Sequence, residues 1–181
     1  MVREAPLERT DAGVVPAGEG WFVLNGRDGR WRAGPLRPAL WELGGAEERP
    51  QLGVFLSVLA PGEPMAMYHQ EADQEDFLVL AGTPLLIVEG EERLLRPWDL
   101  FHCPPGTEHV ILGAGDGPSV VLAVGARDRS TGENWGSYTV ADAAVRHGAG
   151  VEEETSDELV AYARFERRTP TPYRHGWLPG S

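Results

Sequence analysis

Two short groups of potential metal ligands, separated by a predicted β-hairpin, constrain this chain more than any other feature. The first group is His69, Glu71 and Glu75, and the second group contributes His109. Imidazole nitrogen and carboxylate oxygen are common ligands of divalent metals. Side chains two apart on a strand point to the same face, so His69 and Glu71 should lie together. Glu75 shares their parity if the strand stays regular, and His109 must then come from another strand.

Apolar segments follow one another at short, regular intervals through the middle of the chain, without helical patterns between them. Such a series is typical of a β-sandwich or a β-barrel. Shorter strands are predicted before this series, at Trp21–Leu24, around Trp31 and at Leu40–Leu43. The sequence Glu89-Gly90-Glu91 is predicted as a hairpin tip. The strands of the main series are predicted at Leu52–Ala60, Phe77–Leu80, Leu85–Val88, Arg93–Leu95, Leu100–Cys103, Val110–Leu112 and Val120–Val124.

Both ends of the chain differ from this strand-rich middle. The first residues are polar and rich in Pro, Gly and Glu, which predicts a loose or docking arm. In the tail, Thr139 and Thr155 each open a capping-box pattern, which predicts two short helices. The predicted organisation is an arm at residues 1–19, a barrel at residues 20–127 with its motif core at 50–127, and an extension at residues 128–181.

The charge and composition of the chain exclude several partners and reactions. The net charge is −12, and all 16 basic residues are arginine. Nucleic acid and anionic membranes are excluded as partners, because phosphate contacts need basic clusters. The absence of lysine excludes Schiff-base chemistry, and no Gly-x-Ser-x-Gly sequence indicates a serine hydrolase. The chain shows no signal peptide and no membrane-spanning run, so a cytoplasmic location is expected.

The two ligand groups resemble the two characteristic motifs of the cupin superfamily. Glu75 and Gly82 have the spacing that ends the first motif of the family. Pro104, Gly106 and His109 have the spacing at the core of the second motif. The resemblance extends over about residues 50–127.

The chain departs from the family pattern at three positions. The first motif usually opens with His-x-His, and Glu71 stands here in place of the second histidine. Trp98 replaces the glycine that opens the second motif, and Gly113 replaces the asparagine that closes it. These departures concern the ligand set rather than the fold.

The resemblance implies an all-β fold, the double-stranded β-helix or jelly-roll barrel of single-domain cupins. The two predicted helices would follow this barrel as a short C-terminal helical extension. The resemblance also implies a homodimer in which strands or arms are exchanged. Members of the family include dioxygenases, decarboxylases and sugar isomerases, so a metal-dependent enzyme acting on a small organic molecule is one functional hypothesis. The alternative is a non-catalytic binding or sensing protein, with a structural metal or an empty site.

The predicted metal site contains His69, Glu75 and His109. Glu71 is a fourth ligand, an acceptor that holds His69, or a solvent-exposed carboxylate, and the sequence leaves these three roles open. Gln74 could replace a carboxylate if the strand is bulged at residues 72–74. Such a nitrogen and oxygen site suits divalent iron, manganese, nickel or zinc.

Tyr68 and His102 are the candidate catalytic residues, for proton transfer or substrate contact. The alternative is that Tyr68 packs outward and His102 caps a loop. Cys103 is the single cysteine and lies in an apolar strand. It is predicted to be a buried, unreactive side chain rather than a metal ligand.

Overall fold

The computed structural model describes residues 2–42, 51–128 and 134–180 of the chain. Within these residues the chain is built mainly of β-strands, with two short helices near the C-terminus. Among these described residues, no helix has the length and apolar character needed to cross a membrane. The strands are β1 Leu7–Thr10, β2 Gly13–Pro16, β3 Arg30–Gly34, β4 Arg37–Glu42, β5 Leu52–Leu59, β6 His69–Glu71, β7 Glu75–Ala81, β8 Leu85–Val88, β9 Glu91–Leu94, β10 Leu100–Cys103, β11 His109–Leu112, β12 Ser119–Ala126, β13 Gly136–Tyr138 and β14 Thr169–Pro172.

Most of these strands form two antiparallel sheets. The larger sheet has seven strands in the order β10-β7-β12-β5-β4-β3-β14, and the smaller sheet has five in the order β13-β6-β11-β8-β9. The centre of the larger sheet is a long pairing of β5 with β12, which runs in register from Leu52 opposite Ala126 to Leu59 opposite Ser119. Apart from the β8–β9 hairpin, successive strands from β5 to β12 alternate between the sheets, as in a jelly roll. The predicted all-β, double-stranded β-helix fold is confirmed.

The main core lies between the two sheets. Leu59 of β5, Val79 of β7 and Val121 of β12 come from the larger sheet, and Leu86 and Ile111 come from the smaller one. All of these side chains are almost completely buried. The strands have apolar residues at alternate positions, which point to this core because successive strand residues face opposite sides. The opposite face of the smaller sheet is also apolar, and the C-terminal extension packs against it.

The C-terminal extension contributes strands to both sheets. Its β13 pairs with β6 of the smaller sheet, and its β14 pairs with β3 at the edge of the larger sheet. The two prolines of β14 are compatible with this edge position. Proline has no backbone N–H to donate, and an edge strand leaves one row of backbone groups unpaired. The extension therefore places residues from beyond position 128 next to β3 in the larger sheet and next to β6 in the smaller one.

The two predicted helices are present as α1 Asp142–Arg146 and α2 Glu158–Ala161, but the predicted caps are wrong. The N-cap of α1 is Ala141, without a side-chain hydrogen bond. The N-cap of α2 is Asp157, whose carboxylate accepts a hydrogen bond from the backbone of Leu159. Thr155 lies one turn earlier and accepts a hydrogen bond from the backbone of Asp157 instead.

The N-terminal region also differs from its prediction. Within residues 1–19, β1 and β2 pair as a hairpin, from Leu7 opposite Pro16 to Thr10 opposite Gly13. The predicted strand at Trp21–Leu24 is absent, and Trp21 makes only an isolated bridge to Glu4. The apolar run there does not form a strand, and two of its side chains, Trp21 and Val23, are exposed. Leu43, at the end of another predicted strand, lies outside the described residues.

Candidate metal centre

His69 and His109 are brought together by two neighbouring strands of the smaller sheet. His69 begins β6 and His109 begins β11, and the two residues are direct partners in the antiparallel pairing. Their imidazole rings lie with centroids 4.8 Å apart. Both residues are buried, His69 with 8% and His109 with 2% of its surface exposed. The predicted arrival of His109 from a second strand is confirmed by this pairing.

Glu75 approaches the two histidines from the opposite sheet. Its Oε2 lies 3.4 Å from His109 Nε2 and 3.9 Å from His69 Nε2. One ligand atom from each of the three residues lies within 4.8 Å of the other two, a group that could hold a metal ion. The sequence predicted this convergence from a regular strand on which Glu75 shares a face with His69 and Glu71. That reason is wrong, since β6 ends at Glu71 and β7 begins in the other sheet. Glu75 meets the histidines because the chain crosses between the sheets at residues 72–74.

Backbone carbonyls orient both imidazole rings toward the centre of this group. His69 Nδ1 lies 2.7 Å from the carbonyl oxygen of Met67, and His109 Nδ1 lies 3.1 Å from that of Thr107. A carbonyl can only accept a hydrogen bond, so each Nδ1 carries the proton and donates it. The lone pair of each Nε2 is then directed at the centre, which is the tautomer that metal-binding histidines use.

Two atoms in this group are buried without a hydrogen-bond partner. They are Glu75 Oε2 and His109 Nε2. Leaving a buried polar atom unpaired costs about 1–3 kcal/mol. A divalent cation between these atoms would satisfy both, and it would bind the imidazole and carboxylate set that iron, manganese, nickel and zinc share. The residues present therefore fit a divalent metal.

The pKa values show that burial disfavours the charged forms of Glu75 and His109. Burial, and then the negative charge of Glu71, raise the pKa of Glu75 to about 7, although the charges of His69 and Arg127 oppose this rise. Burial, and then the charge of His69, lower the pKa of His109 to about 3. Burial alone would lower the pKa of His69, but Glu71 and Glu75 outweigh it and the net shift is upward. Burial therefore works against ionisation of Glu75 and against protonation of His109.

Glu71 lies beside the three-residue group rather than inside it. Its Oε1 is 3.6 Å from His69 Nε2, and its side chain is mostly buried. Gln74 is exposed, and its amide donates a hydrogen bond to the Asp76 carboxylate at 2.7 Å. The predicted alternative in which Gln74 replaces a carboxylate therefore receives no support from its position. Glu71 faces the centre and remains available as a fourth ligand or as an acceptor next to His69.

The structure does not bring the two candidate catalytic residues to this centre. Tyr68 packs under α1 on the outer face of the smaller sheet, against Ala143 and Ala144. Its hydroxyl accepts a hydrogen bond from the backbone of Gly90 at 3.1 Å, and burial raises its pKa to about 12. Tyr68 precedes the inward-facing His69 on the chain and therefore points outward, as the alternative reading of its position expected.

His102 and Cys103 also lie outside the group of three. His102 is exposed on β10, and its Nδ1 lies 2.7 Å from a carboxylate oxygen of Asp76 on the paired strand. It therefore forms a cross-strand pair rather than a loop cap. Cys103 Sγ lies 3.4 Å from His109 Nδ1, on the side of the ring away from Glu75. Burial raises the pKa of this thiol to about 12, so it stays protonated and packs against the ring.

A cavity of about 510 Å³ opens onto the histidines and Glu75. This volume is in the range that holds a small organic molecule. Its inner wall is apolar and includes Phe55, Met65 and Phe77. The sequence analysis missed the residues that line its outer part, which come from the first strands of the larger sheet and from the C-terminal extension. They include Arg32, Arg37, Tyr138, Glu158, Tyr162 and Arg168.

The sequence in this region also matches a family model. Residues 55–125, which contain His69, Glu75 and His109, match the model of the cupin domain. This part of the chain is a cupin domain. No protein of curated function is similar enough in sequence to be counted as a relative. The cupin resemblance of the two motifs is therefore confirmed, and the match ends before the extension that lines the outer cavity.

Several solved structures resemble this cupin. A cupin-like protein from Thermotoga maritima has a TM-score of 0.50 and 20% identity, over 68% of this chain and 90% of that one. A sugar phosphate isomerase of the cupin superfamily from Silicibacter pomeroyi has a TM-score of 0.46 and 29% identity, over 60% and 69%. A candidate sugar phosphate isomerase from Acidithiobacillus ferrooxidans has a TM-score of 0.47 and 26% identity, over 51% of this chain and 60% of its own length. The Thermotoga protein shares the fold, and none of these similarities assigns an activity to this chain.

Proposed function

We propose that this cupin binds one divalent metal ion through His69, Glu75 and His109, and that the metal centre acts on a small organic molecule in the adjoining cavity. The observation that carries the proposal is the pair of buried, unpartnered atoms, Glu75 Oε2 and His109 Nε2, next to each other in the group of three. A divalent ion held there would supply Lewis-acid activation of a bound water or carbonyl group. Divalent iron, manganese, nickel and zinc are the candidate ions.

The chain's own side chains would bind and orient the small molecule. Tyr138 and Tyr162 line the cavity, and burial raises the pKa of both phenols. Both therefore stay protonated at neutral pH. The two hydroxyls hydrogen-bond to each other, which leaves one of their protons to donate to an oxygen of the bound molecule. The apolar wall excludes water from the inner part of the cavity. Glu71, at 3.6 Å from His69 Nε2, is placed to hold or accept a proton at its carboxylate.

A second candidate function is non-catalytic binding or sensing of a small molecule, with the metal in a structural role. The position of Tyr68 and His102 favours it, because neither of these proton-transfer candidates lines the cavity. The two functions share the metal centre and the cavity, and they differ in whether a bound molecule is converted. The homodimer and the cytoplasmic location predicted from the sequence belong to either proposal.

The experiment that separates the two functions compares turnover with binding. Metal-free protein is reloaded separately with each candidate ion, with iron added under anaerobic conditions. Each preparation is assayed for oxygen consumption and product formation with small enols, thiols and phenols. The Glu75→Gln variant removes a ligand charge, and Glu91→Gln is a matched control on the exposed strand β9.

Product formation that needs the metal, persists in Glu91→Gln and is lost in Glu75→Gln supports the enzyme. Thermal stabilisation by one of these molecules without any product supports the binding protein. Failure of wild-type protein to bind any of the four ions refutes the metal centre, and with it both forms of the proposal.

A further inference from the structure

Three arginines converge on the outer part of the cavity that contains the metal ligands. Arg32 lies on β3, Arg37 lies on β4, and Arg168 immediately precedes β14. All three line the cavity of about 510 Å³. They also line a neighbouring cavity of about 540 Å³, to which Arg167 contributes as well. The pairing of β14 with β3 and of β3 with β4 places these residues on adjacent strands.

Neutral groups hold two of these side chains in place. The guanidinium of Arg37 lies over the ring of Tyr162, at 4.4 Å from the ring centroid. Arg168 Nε donates a hydrogen bond to the carbonyl oxygen of Pro38 at 2.9 Å, and its Nη2 donates to that of Met65 at 3.5 Å. These contacts fix the guanidinium groups without cancelling their charge.

The positive charge of this cluster is not balanced by a paired carboxylate. Among the residues that the structure describes, neither Arg32, Arg37 nor Arg168 forms a salt bridge, although Arg96 and Arg146 do. The carboxylates Glu42 and Glu158 line the same cavity, but neither is within ion-pair distance of the three arginines. Burial, and then the like charges of Arg37 and Arg32, lower the pKa of Arg168 to about 10.

Such a cluster is unusual in a chain with a net charge of −12, where carboxylates are in excess. Three guanidinium groups on one cavity wall offer several donors in fixed, forked geometry, which matches the oxygens of phosphate and carboxylate groups. The metal ligands occupy another part of the same cavity wall. A molecule of ordinary metabolite size could therefore reach both.

We propose that Arg32, Arg37 and Arg168 form an oxyanion-binding site, which holds the phosphate or carboxylate group of the small molecule that the metal centre handles. The link to the metal rests on the proposed function, whereas the anion site stands on the arginine cluster itself. The cavity would then select anionic small molecules and orient them with the other end toward His69, Glu75 and His109.

The test is calorimetric titration of the full-length, chelator-treated protein at low ionic strength. The probes are inorganic phosphate and malonate, and removal of metal prevents either anion from binding as a metal ligand. The variants are Arg32→Gln and Arg37→Gln, which leave the carbonyl contacts of Arg168 intact. Arg93→Gln is the matched control, since it removes the same charge from an exposed position on β9, outside the cavity.

Wild type and Arg93→Gln are expected to bind at least one of the probes with equal affinity. Each cavity variant should bind it about 10-fold more weakly or worse, because a charge-assisted hydrogen bond is lost. Binding of phosphate alone or of malonate alone would support the site and assign the anion class. The absence of binding by both probes, or equal affinity in Arg37→Gln and Arg93→Gln, overturns the proposal.

Metal content measured on the same preparations before chelation separates this proposal from the previous one. Arg32→Gln and Arg37→Gln should retain the metal content of the wild type, because neither residue belongs to the proposed ligand group. A protein that binds the anions but no metal would refute the proposed function and leave the arginine site standing. A protein that binds metal but neither anion would refute the arginine site and leave the proposed function standing.

Discussion

Replacing Glu75 with glutamine should stabilise the metal-free protein at alkaline pH, although it removes a proposed metal ligand. In the folded protein, burial and then the charge of Glu71 raise the pKa of Glu75 from 4.5 to about 7. A carboxyl with a raised pKa stabilises the fold fully below its unfolded pKa, and this stabilisation is lost as the pH rises through the folded pKa. Glutamine resembles the protonated carboxyl and cannot ionise.

The size of the effect follows from the shift. At about 1.36 kcal/mol per pKa unit, a rise from 4.5 to about 7 corresponds to about 3 kcal/mol of lost stability once Glu75 is ionised. Glu75→Gln should therefore match the wild type at about pH 4 and exceed it by up to about 3 kcal/mol at about pH 8. His109, whose pKa is lowered to about 3, stabilises the fold above its unfolded pKa of 6.5 in both proteins. Its contribution should largely cancel in the comparison.

The assay is urea unfolding of both proteins across this pH range, in the presence of a chelator. Glu91→Gln, on the exposed strand β9, serves as the matched control. Adding a divalent metal at about pH 8 should make the wild type more stable than Glu75→Gln, because a ligand stabilises only the protein that binds it. A difference between Glu75→Gln and wild type that does not change with pH would refute the reasoning.

Three further predictions concern the fold and the assembly. Tyr68→Phe should destabilise the protein by about 1 kcal/mol in urea unfolding, because the hydrogen bond from Gly90 is lost, with metal content unchanged. Leu59→Ala, at a fully buried position between the sheets, should cost about 2–5 kcal/mol in the same assay; a smaller loss would contradict the packing. Light scattering should give about 40 kDa, twice the chain mass of 19.7 kDa, and a monomer at micromolar concentration would refute the homodimer.

The sequence was sufficient to predict the fold and the grouping of His69, Glu75 and His109, because both have local signatures. Short apolar strands predict sheets through their spacing, and the motif spacing around Glu75 and His109 matches a known family. The reason given for Glu75 was wrong because parity along one strand says nothing about a chain that crosses between sheets. The cap of α1 was also wrong, since Thr139 is buried next to β13 rather than placed at the helix start.

The arginine cluster could not be predicted from the sequence. Arg32 and Arg168 are far apart in the chain, and they meet only because β14 pairs with β3. The segment Thr169–Pro172 carries two prolines and shows no hydrophobic alternation, so nothing in its sequence indicates a strand. The exclusion of nucleic acid and anionic membranes rested on the net charge of the whole chain, whereas the cluster concerns a single cavity wall.

The most direct test of the metal centre is elemental analysis of untagged protein, purified as wild type and as His69→Ala, His109→Ala and His102→Ala. His102 is the matched control because it is an exposed histidine paired with Asp76 rather than with the site. We predict about one divalent ion per chain in the wild type and in His102→Ala, and loss of the ion in the other two variants. Equal metal content in all four proteins, or no metal in the wild type after reloading with iron, manganese, nickel or zinc, would contradict the account.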